Sequence, residues 1–240
     1  MAKLWGRDVR VWRAWAVHAY TSLGLVAGFL ALRAMLAQEA QLAFVWLGVA
    51  LFIDATDGPF ARRWEVTRWT PNFSGRKLDD IVDYLNYTFL SVFAAYRFGL
   101  VPAWGMPVLW GVLIASAYGF CEESAKTDDG YFTGFPSYWD VIVFYLYLLD
   151  GPGWINALML AIFAVLVFVR VKYVTWKTEI LHNVTFVLSM AWCVSLLALI
   201  VLFERAPLGL VWLSLLYPAY HFGLSFYLHL TGRSSRADIG

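Results

Sequence analysis

The sequence predicts an all-α integral membrane protein of about eight transmembrane helices, preceded by an N-terminal amphipathic helix in the membrane interface. Three observations support this fold class. Of the 240 residues, 61% are hydrophobic and only 15% are charged, whereas soluble domains carry roughly 25% charged residues. Apolar segments follow one another with short connections, and a basic, aromatic segment precedes the first of them. We therefore expect a single membrane domain over residues 1–240.

The N-terminal segment 3–13 has the pattern of an amphipathic helix. Leu4, Trp5, Val9 and Trp12 fall roughly on one helical face, and the basic residues lie largely on the other. A helix of this kind lies in the plane of the membrane interface. The alternative interpretation is a plain basic cytoplasmic tail.

The transmembrane segments are read from apolar runs, because a span needs about 20 largely apolar residues. The runs lie near residues 14–36, 41–60, 79–98, 101–120, 138–149, 155–170, 184–203 and 209–229. The fifth and sixth runs are short and are separated by the turn sequence from Asp150 to Gly153. They form either two short spans or one broken hairpin.

Positive charge predicts the orientation of these segments. With a cytoplasmic N-terminus, the inside segments hold fifteen Lys and Arg residues, and the outside ends hold only Arg33, Arg97 and Arg205. Such an excess marks the cytoplasmic side. The C-terminal end of the second run and the start of the third, which carry several acids, then lie on the cytoplasmic side.

Carboxylates in this region are the strongest indication of function. Asp54 and Asp57 are three residues apart, and Asp79 and Asp83 are four apart, so each pair lies on one face of its helix. Ionisable groups beside membrane segments mark functional sites by default. Four facing carboxylates cannot all stay ionised without a cation, and oxygen ligands suit a hard divalent ion. Asp80 points about 100° away from Asp79 and is left out of this group.

The pattern around these acids resembles the signature of the CDP-alcohol phosphatidyltransferase family, Asp-x-x-Asp-Gly-x-x-Ala-Arg followed by Gly-x-x-x-Asp-x-x-x-Asp. The eight signature positions are filled by Asp54, Asp57, Gly58, Ala61, Arg62, Gly75, Asp79 and Asp83. The twelve residues 63–74 form a longer connection than is usual in the family. The chain resembles the bacterial phosphatidylcholine synthase branch in this longer connection, in its length and in the segment 128–140.

The resemblance implies a reaction and a role for each signature residue. In that branch, choline displaces CMP from CDP-diacylglycerol to form phosphatidylcholine. By resemblance, Asp54, Asp57, Asp79 and Asp83 bind two Mn²⁺ or Mg²⁺ ions, and Asp83 also acts as general base beside Asp79. The residues expected to bind CDP-diacylglycerol are Asp57, Gly58, Ala61, Arg62 and Gly75. The expected setting is the cytoplasmic face of the bacterial inner membrane, in a multi-pass protein surrounded by lipid, with a homodimer as an open option and no nucleic-acid partner.

The quaternary ammonium of choline needs aromatic faces and a carboxylate. Candidates on the predicted cytoplasmic side are Tyr118, Glu122, Tyr131 and Trp139. Most aromatic side chains near a membrane surface belong to interfacial belts or to packing, so these four are hypotheses.

Two alternatives to choline transfer stay open. The acceptor could be serine, glycerol phosphate or inositol phosphate, although the acids of segment 118–140 favour a cationic or neutral alcohol over an anionic one. From another class, the acidic cluster could be the ion site of a cation transporter. Transport sites lie near the bilayer midplane between broken helices, whereas these acids lie at one end beside an Arg-rich connection.

Overall fold

Helices dominate the fold in the computed structural model of the protein, which describes residues 2–122, 132–173 and 182–231. The α-helices are α1 (Ala2–Leu36), α2 (Ala40–Arg63), α3 (Val66–Trp69), α4 (Gly75–Asp83), α5 (Leu90–Arg97), α6 (Met106–Cys121), α7 (Trp139–Leu149), α8 (Gly153–Phe168), α9 (His182–Leu202), α10 (Leu208–Ser214) and α11 (Leu216–Leu230). A π-helical segment (Tyr84–Phe89) joins α4 to α5, and 3₁₀ turns lie at Ala103–Gly105 and Phe203–Arg205. Two short strands, β1 (Phe132–Thr133) and β2 (Lys172–Tyr173), pair antiparallel.

The predicted all-α class is confirmed, and helical structure falls on each of the apolar runs of the sequence. Within the described residues, four helical stretches are long and apolar enough to cross a membrane: Val9–Leu36, Ala40–Arg63, Ala103–Cys121 and Asn183–Arg205. Helices α7 and α8 are apolar but shorter. The count of about eight spans therefore stays a prediction.

The N-terminal segment 3–13 is helical, and α1 continues through it without interruption to Leu36. The sequence predicted a separate interfacial helix before the first span. One continuous helix contains both segments, and the interfacial position of residues 3–13 stays a prediction.

The chain divides into two compact units, Met1–Phe98 and Gly99–Gly240. The first unit contains the complete signature from Asp54 to Asp83. The second contains three described choline candidates, Tyr118, Glu122 and Trp139. The prediction that residues 1–240 act as a single domain stays a prediction.

Helix α1 is the centre of the first unit and contacts α2, α3, α4, the π-helical segment and α5. The buried side of α1 carries mostly small residues at helical spacing, Ala14, Val17, Thr21, Ala27 and Ala31. Small residues let helix backbones approach closely, and within a membrane such packing replaces the hydrophobic effect as the main source of association.

Gly24 and Gly28 of α1 also lie in close contact with a neighbouring segment. A Cβ atom at Gly24 would lie 2.7 Å from Val82 Cγ1, and one at Gly28 would overlap Asn86 Oδ1. The side chain of Asn86 is buried, and its Nδ2 donates to the Gly24 carbonyl at 3.1 Å. The glycine pair therefore receives the π-helical segment that directly follows Asp83.

The second unit has a core built from aromatic residues and hydroxyl groups. Trp139 is fully buried, and its Nε1 donates to Ser116 Oγ at 2.6 Å, which joins α7 to α6. Tyr145 on α7 donates to Ser214 Oγ on α10 at 2.9 Å. The rings of Phe135 and Trp139 meet edge to face at 5.1 Å. The two hydrogen bonds satisfy the polar atoms of Trp139 and Tyr145, as burial in an apolar environment requires.

Candidate active site

Three carboxylates of the signature meet where the end of α2 lies beside α4. Asp54, Asp57 and Asp79 each offer one carboxylate oxygen, and these oxygens all lie within 4.8 Å of one another. Asp57 is buried, with 6% of its surface exposed, and the other two are half-buried. Residues from both halves of the signature, separated by the long connection, are thus brought to one point.

Local signals in the sequence set the position of Asp79. Ser74 caps α4, because its Oγ accepts the Lys77 backbone N–H at 3.2 Å. A serine at this position satisfies a backbone donor that has no partner within the helix. The cap starts α4 at Gly75 and places Asp79 one turn into the helix.

The donor set fits a hard divalent cation. Three carboxylate groups at this separation repel one another unless positive charge lies between them. All the candidate ligand atoms are oxygens, which Mg²⁺ and Mn²⁺ prefer, and no thiolate or imidazole is among the three residues of the group. The geometry therefore supports a metal centre held by residues of α2 and α4.

Asp83 and Asp80 lie outside this group of three. Asp83 is the last residue of α4, one turn beyond Asp79, and one turn displaces a side chain by about 5–6 Å along the helix axis. The sequence predicted four ligands including Asp83, and the structure brings three of them together. Asp80 faces Arg76, with Oδ2 3.9 Å from the Nε atom.

Thr21 on α1 is a contact of the site for which sequence reasoning gave no indication. Its Oγ1 donates to Asp57 Oδ2 at 2.6 Å, and both side chains are buried. On the preceding residues of the two helices, the Tyr20 hydroxyl and Thr56 Oγ1 are 2.8 Å apart. A threonine within an apolar helix was the only available signal, and it does not specify a partner.

The remaining signature residues of α2 lie beside these carboxylates in sequence. The Arg62 side chain is exposed, and a Cβ atom at Gly58 would lie 3.3 Å from its Nη1. Ala61 is half-buried and packs against the core cluster formed by Ala14, Val17 and Val66. A small residue at 61 thus lets α2 approach the N-terminal half of α1.

Gly75, the first residue of the second half of the signature, lies against His18 of α1. A Cβ atom at Gly75 would stand 3.0 Å from His18 Cε1. The imidazole is buried, and its Nε2 lies 2.9 Å from Thr70 Oγ1 in the connection between the two halves.

The choline candidates lie in the second unit. The Tyr118 hydroxyl donates to Glu122 Oε2 at 3.0 Å, and the Tyr118 ring packs against Phe168 with centroids 5.0 Å apart. The Tyr118 and Glu122 side chains are therefore adjacent, one turn apart at the end of α6. Trp139 is joined to the same helix through Ser116, whereas Tyr131 lies outside the described residues.

Comparison with known proteins gives several relatives of one kind. Phosphatidylcholine synthase of Legionella pneumophila is 34% identical over 223 residues, which cover 89% of this chain and 88% of the relative. Those of Pseudomonas aeruginosa and Bradyrhizobium diazoefficiens are each 38% identical, over 67% and 74% of this chain and 68% and 70% of the relatives. No family model matches the chain.

Proposed function

The chain belongs to the phosphatidylcholine synthase family, and we propose that it joins choline to CDP-diacylglycerol at the group formed by Asp54, Asp57 and Asp79. The observation that carries this proposal is the convergence of carboxylates from the two halves of the signature. A transferase that acts on a diphosphate needs positive charge beside the phosphate groups, and these three carboxylates can hold a cation there.

The cofactor that we propose is Mn²⁺ or Mg²⁺, with two ions at the complete site. When bound, such ions neutralise charge on the diphosphate and help to orient the incoming oxygen. Asp54, Asp57 and Asp79 are proposed as metal ligands, because their oxygens lie within 4.8 Å of one another. Asp83 is proposed as a further ligand from the adjoining turn.

The protein's own residues perform the remaining steps. Arg62 binds the diphosphate by a charge-assisted fork, and Gly58 leaves room for the nucleotide beside α2. Ala61 and Gly75 are the further proposed contacts of CDP-diacylglycerol, and their small size also lets their helices pack against α1. Asp83 accepts the hydroxyl proton of choline, and the choline oxygen forms a bond to the phosphorus attached to diacylglycerol. The bond from that phosphorus to the CMP oxygen breaks, and CMP leaves.

The proposed setting is a multi-pass protein of about eight spans in the bacterial inner membrane, with the site facing the cytoplasm. The excess of Lys and Arg at the predicted cytoplasmic ends supports this orientation. CDP-diacylglycerol would enter from the cytoplasmic leaflet, and residues 3–13 would lie in the interface. For choline, we propose Glu122, Tyr118, Tyr131 and Trp139 as the subsite, supported by the adjacent carboxylate and ring of Glu122 and Tyr118.

The release of CMP tests this function. The purified full-length protein in detergent is incubated with CDP-diacylglycerol and MnCl₂, together with choline, serine, glycerol phosphate or inositol phosphate. We expect CMP and phosphatidylcholine with choline, loss of the product after chelation by EDTA, and recovery when Mn²⁺ is restored.

Two outcomes would contradict the proposal. CMP release with serine or a phosphorylated alcohol but not with choline would overturn the acceptor. Absence of CMP with every alcohol, from protein that unfolds cooperatively and binds Mn²⁺, would favour the cation-transporter alternative. Asp79→Asn should abolish this activity. Asp80→Asn is its matched control, because the Asp80 carboxylate lies on the same helix but outside the group of three.

A further inference from the structure

The hydroxyl of Thr21, which is not a signature residue, makes a short contact to the carboxylate group. Its Oγ1 lies 2.6 Å from Asp57 Oδ2, and each residue exposes only 6% of its surface. This length is typical of a hydroxyl that donates to an ionised carboxylate, a type of bond about twice as strong as one between neutral groups. Burial keeps water from competing for it.

Other hydroxyl groups of the same unit behave differently. Ser22, Thr56 and Thr70 each donate to the carbonyl oxygen four residues earlier in their own helix. That local bond is the usual arrangement of serine and threonine within helices. The hydroxyl of Thr21 is directed instead across the interface from α1 to Asp57 on α2. Its proton is therefore committed to the site.

Helix α1 is held on both sides of Thr21, so that this hydroxyl has a fixed position. One turn before it, His18 Nε2 lies 2.9 Å from Thr70 Oγ1. One turn after it, the Gly24 carbonyl accepts from Asn86 Nδ2 at 3.1 Å. These two bonds connect α1 to the segments immediately before and after α4, which carries Asp79. A movement of α1 that shifted the Thr21 hydroxyl relative to the site would therefore disturb both of these hydrogen bonds.

From these contacts we propose that Thr21 is a positioning residue that holds the Asp57 carboxylate in its metal-binding orientation. The inference rests on the proposed metal-dependent function. Asp57 keeps lone pairs for a cation while one oxygen accepts from Thr21, because an ionised carboxylate has about four acceptor positions. Groups that orient metal ligands in this way typically change metal affinity by about 10–100-fold when removed.

Direct binding of Mn²⁺ to the full-length protein in detergent tests the proposal without any substrate. The dissociation constant is measured from the free Mn²⁺ signal in electron paramagnetic resonance, for wild type, Thr21→Val and Thr21→Ser. We expect Thr21→Val to weaken binding by about 10–100-fold. Thr21→Ser keeps the hydroxyl, and its affinity should stay near that of wild type. The concentration of Mn²⁺ that gives half-maximal CMP release should shift in parallel, while the KM for choline should not.

Matched controls separate positioning from general damage. Thr56→Val makes the same chemical change one residue before Asp57, at a hydroxyl bonded to Tyr20 and to its own helix, and should leave Mn²⁺ affinity unchanged. Thr21→Ala provides the same comparison if Thr21→Val does not unfold cooperatively without metal. Wild-type affinity for Mn²⁺ in a folded Thr21→Val or Thr21→Ala protein would overturn the role of Thr21 alone. Failure of the wild type to bind Mn²⁺ would instead overturn the proposed metal centre, and this inference with it.

Discussion

The imidazole of His18 fills the space that a side chain at Gly75 would need. A Cβ atom at residue 75 would stand 3.0 Å from His18 Cε1, and the ring also packs against Phe73, with centroids 4.4 Å apart. His18 Nε2 is further held 2.9 Å from Thr70 Oγ1. The glycine that opens the second half of the signature is thus required by packing against α1, at the first residue of the helix that carries Asp79.

Replacement of this glycine should therefore destabilise the first unit. In Gly75→Ala the added methyl group must displace a confined ring, and overpacking of this kind costs about 1–3 kcal/mol. We expect a lower midpoint of thermal unfolding in detergent and reduced CMP release. A double-mutant cycle with His18→Ala should give a coupling of about 0.5–3 kcal/mol, because the methyl group then enters vacated space. Additive effects of the two substitutions would contradict the contact.

Asp79 and Asp83 should be separable by experiment, although both belong to the signature. Asp79 lies within the group of three carboxylates, and Asp83 lies one turn beyond it. Asp79→Asn should weaken Mn²⁺ binding and abolish turnover. Asp83→Asn should keep most of the Mn²⁺ affinity and reduce kcat by about 10²–10⁴-fold, as expected for loss of a general base.

The comparison uses Mn²⁺ binding and CMP release on the same preparations, with Asp80→Asn as the control on the same helix. Full turnover in Asp83→Asn would remove this residue as the base. Equal loss of Mn²⁺ affinity in Asp79→Asn and Asp83→Asn would place both among the principal ligands.

The contact of Gly28 with Asn86 predicts a second effect on stability. A Cβ atom at Gly28 would overlap Asn86 Oδ1 and lie 3.0 Å from Leu90 Cδ1. Gly28→Ala should lower the free energy of unfolding by about 1–3 kcal/mol, measured as a lower unfolding midpoint. Gly111→Ala in α6 is the matched control, since nothing lies within 4 Å of its added Cβ atom. Similar unfolding midpoints for the two variants would contradict the close packing of α1 against the π-helical segment.

The sequence predicted the helices and the acidic site for physical reasons that act locally. Long apolar runs specify helices in a membrane, and carboxylates three or four residues apart necessarily share a helical face. The contacts of Thr21 with Asp57 and of Asn86 with Gly24 join residues far apart in sequence. Their partners depend on the register between helices, which no local pattern specifies. The same is true of which signature carboxylates form the group of three, Asp54, Asp57 and Asp79.

Arg62 should contribute to binding of the lipid substrate. Its side chain is exposed at the end of α2, beside Gly58 and five residues after Asp57. Hydrogen bonds to charged groups contribute about 1.5–3 kcal/mol, and each 1.4 kcal/mol corresponds to tenfold. We expect Arg62→Ala to raise the KM for CDP-diacylglycerol by about 10–100-fold. In Arg62→Lys the charge remains but the planar fork is lost, so the increase should be intermediate.

The neighbouring Arg63 provides the control for this measurement. It is also exposed at the end of α2, but it is not a signature position. Arg63→Ala should leave the KM for CDP-diacylglycerol near the wild-type value. A similar rise in both alanine variants would indicate a general effect of surface charge on the lipid and not a specific contact from Arg62.

Glu122 and Tyr118 provide the test of the proposed choline subsite. The Tyr118 hydroxyl donates to Glu122 Oε2 at 3.0 Å, so the Glu122 carboxylate lies next to the exposed ring of Tyr118. Glu122→Gln keeps the shape and the acceptor oxygen but removes the charge, and it should raise the KM for choline by about fivefold, the upper range for a partly exposed ion pair. Tyr118→Phe keeps the ring face and should have a smaller effect, and neither variant should change the KM for CDP-diacylglycerol.

Trp139→Phe is compared with Ser116→Ala, because both remove the same buried hydrogen bond. An increase in the KM for choline confined to the tryptophan variant would support contact of its ring with the ammonium group, and an unchanged KM in every variant would exclude these residues from the subsite.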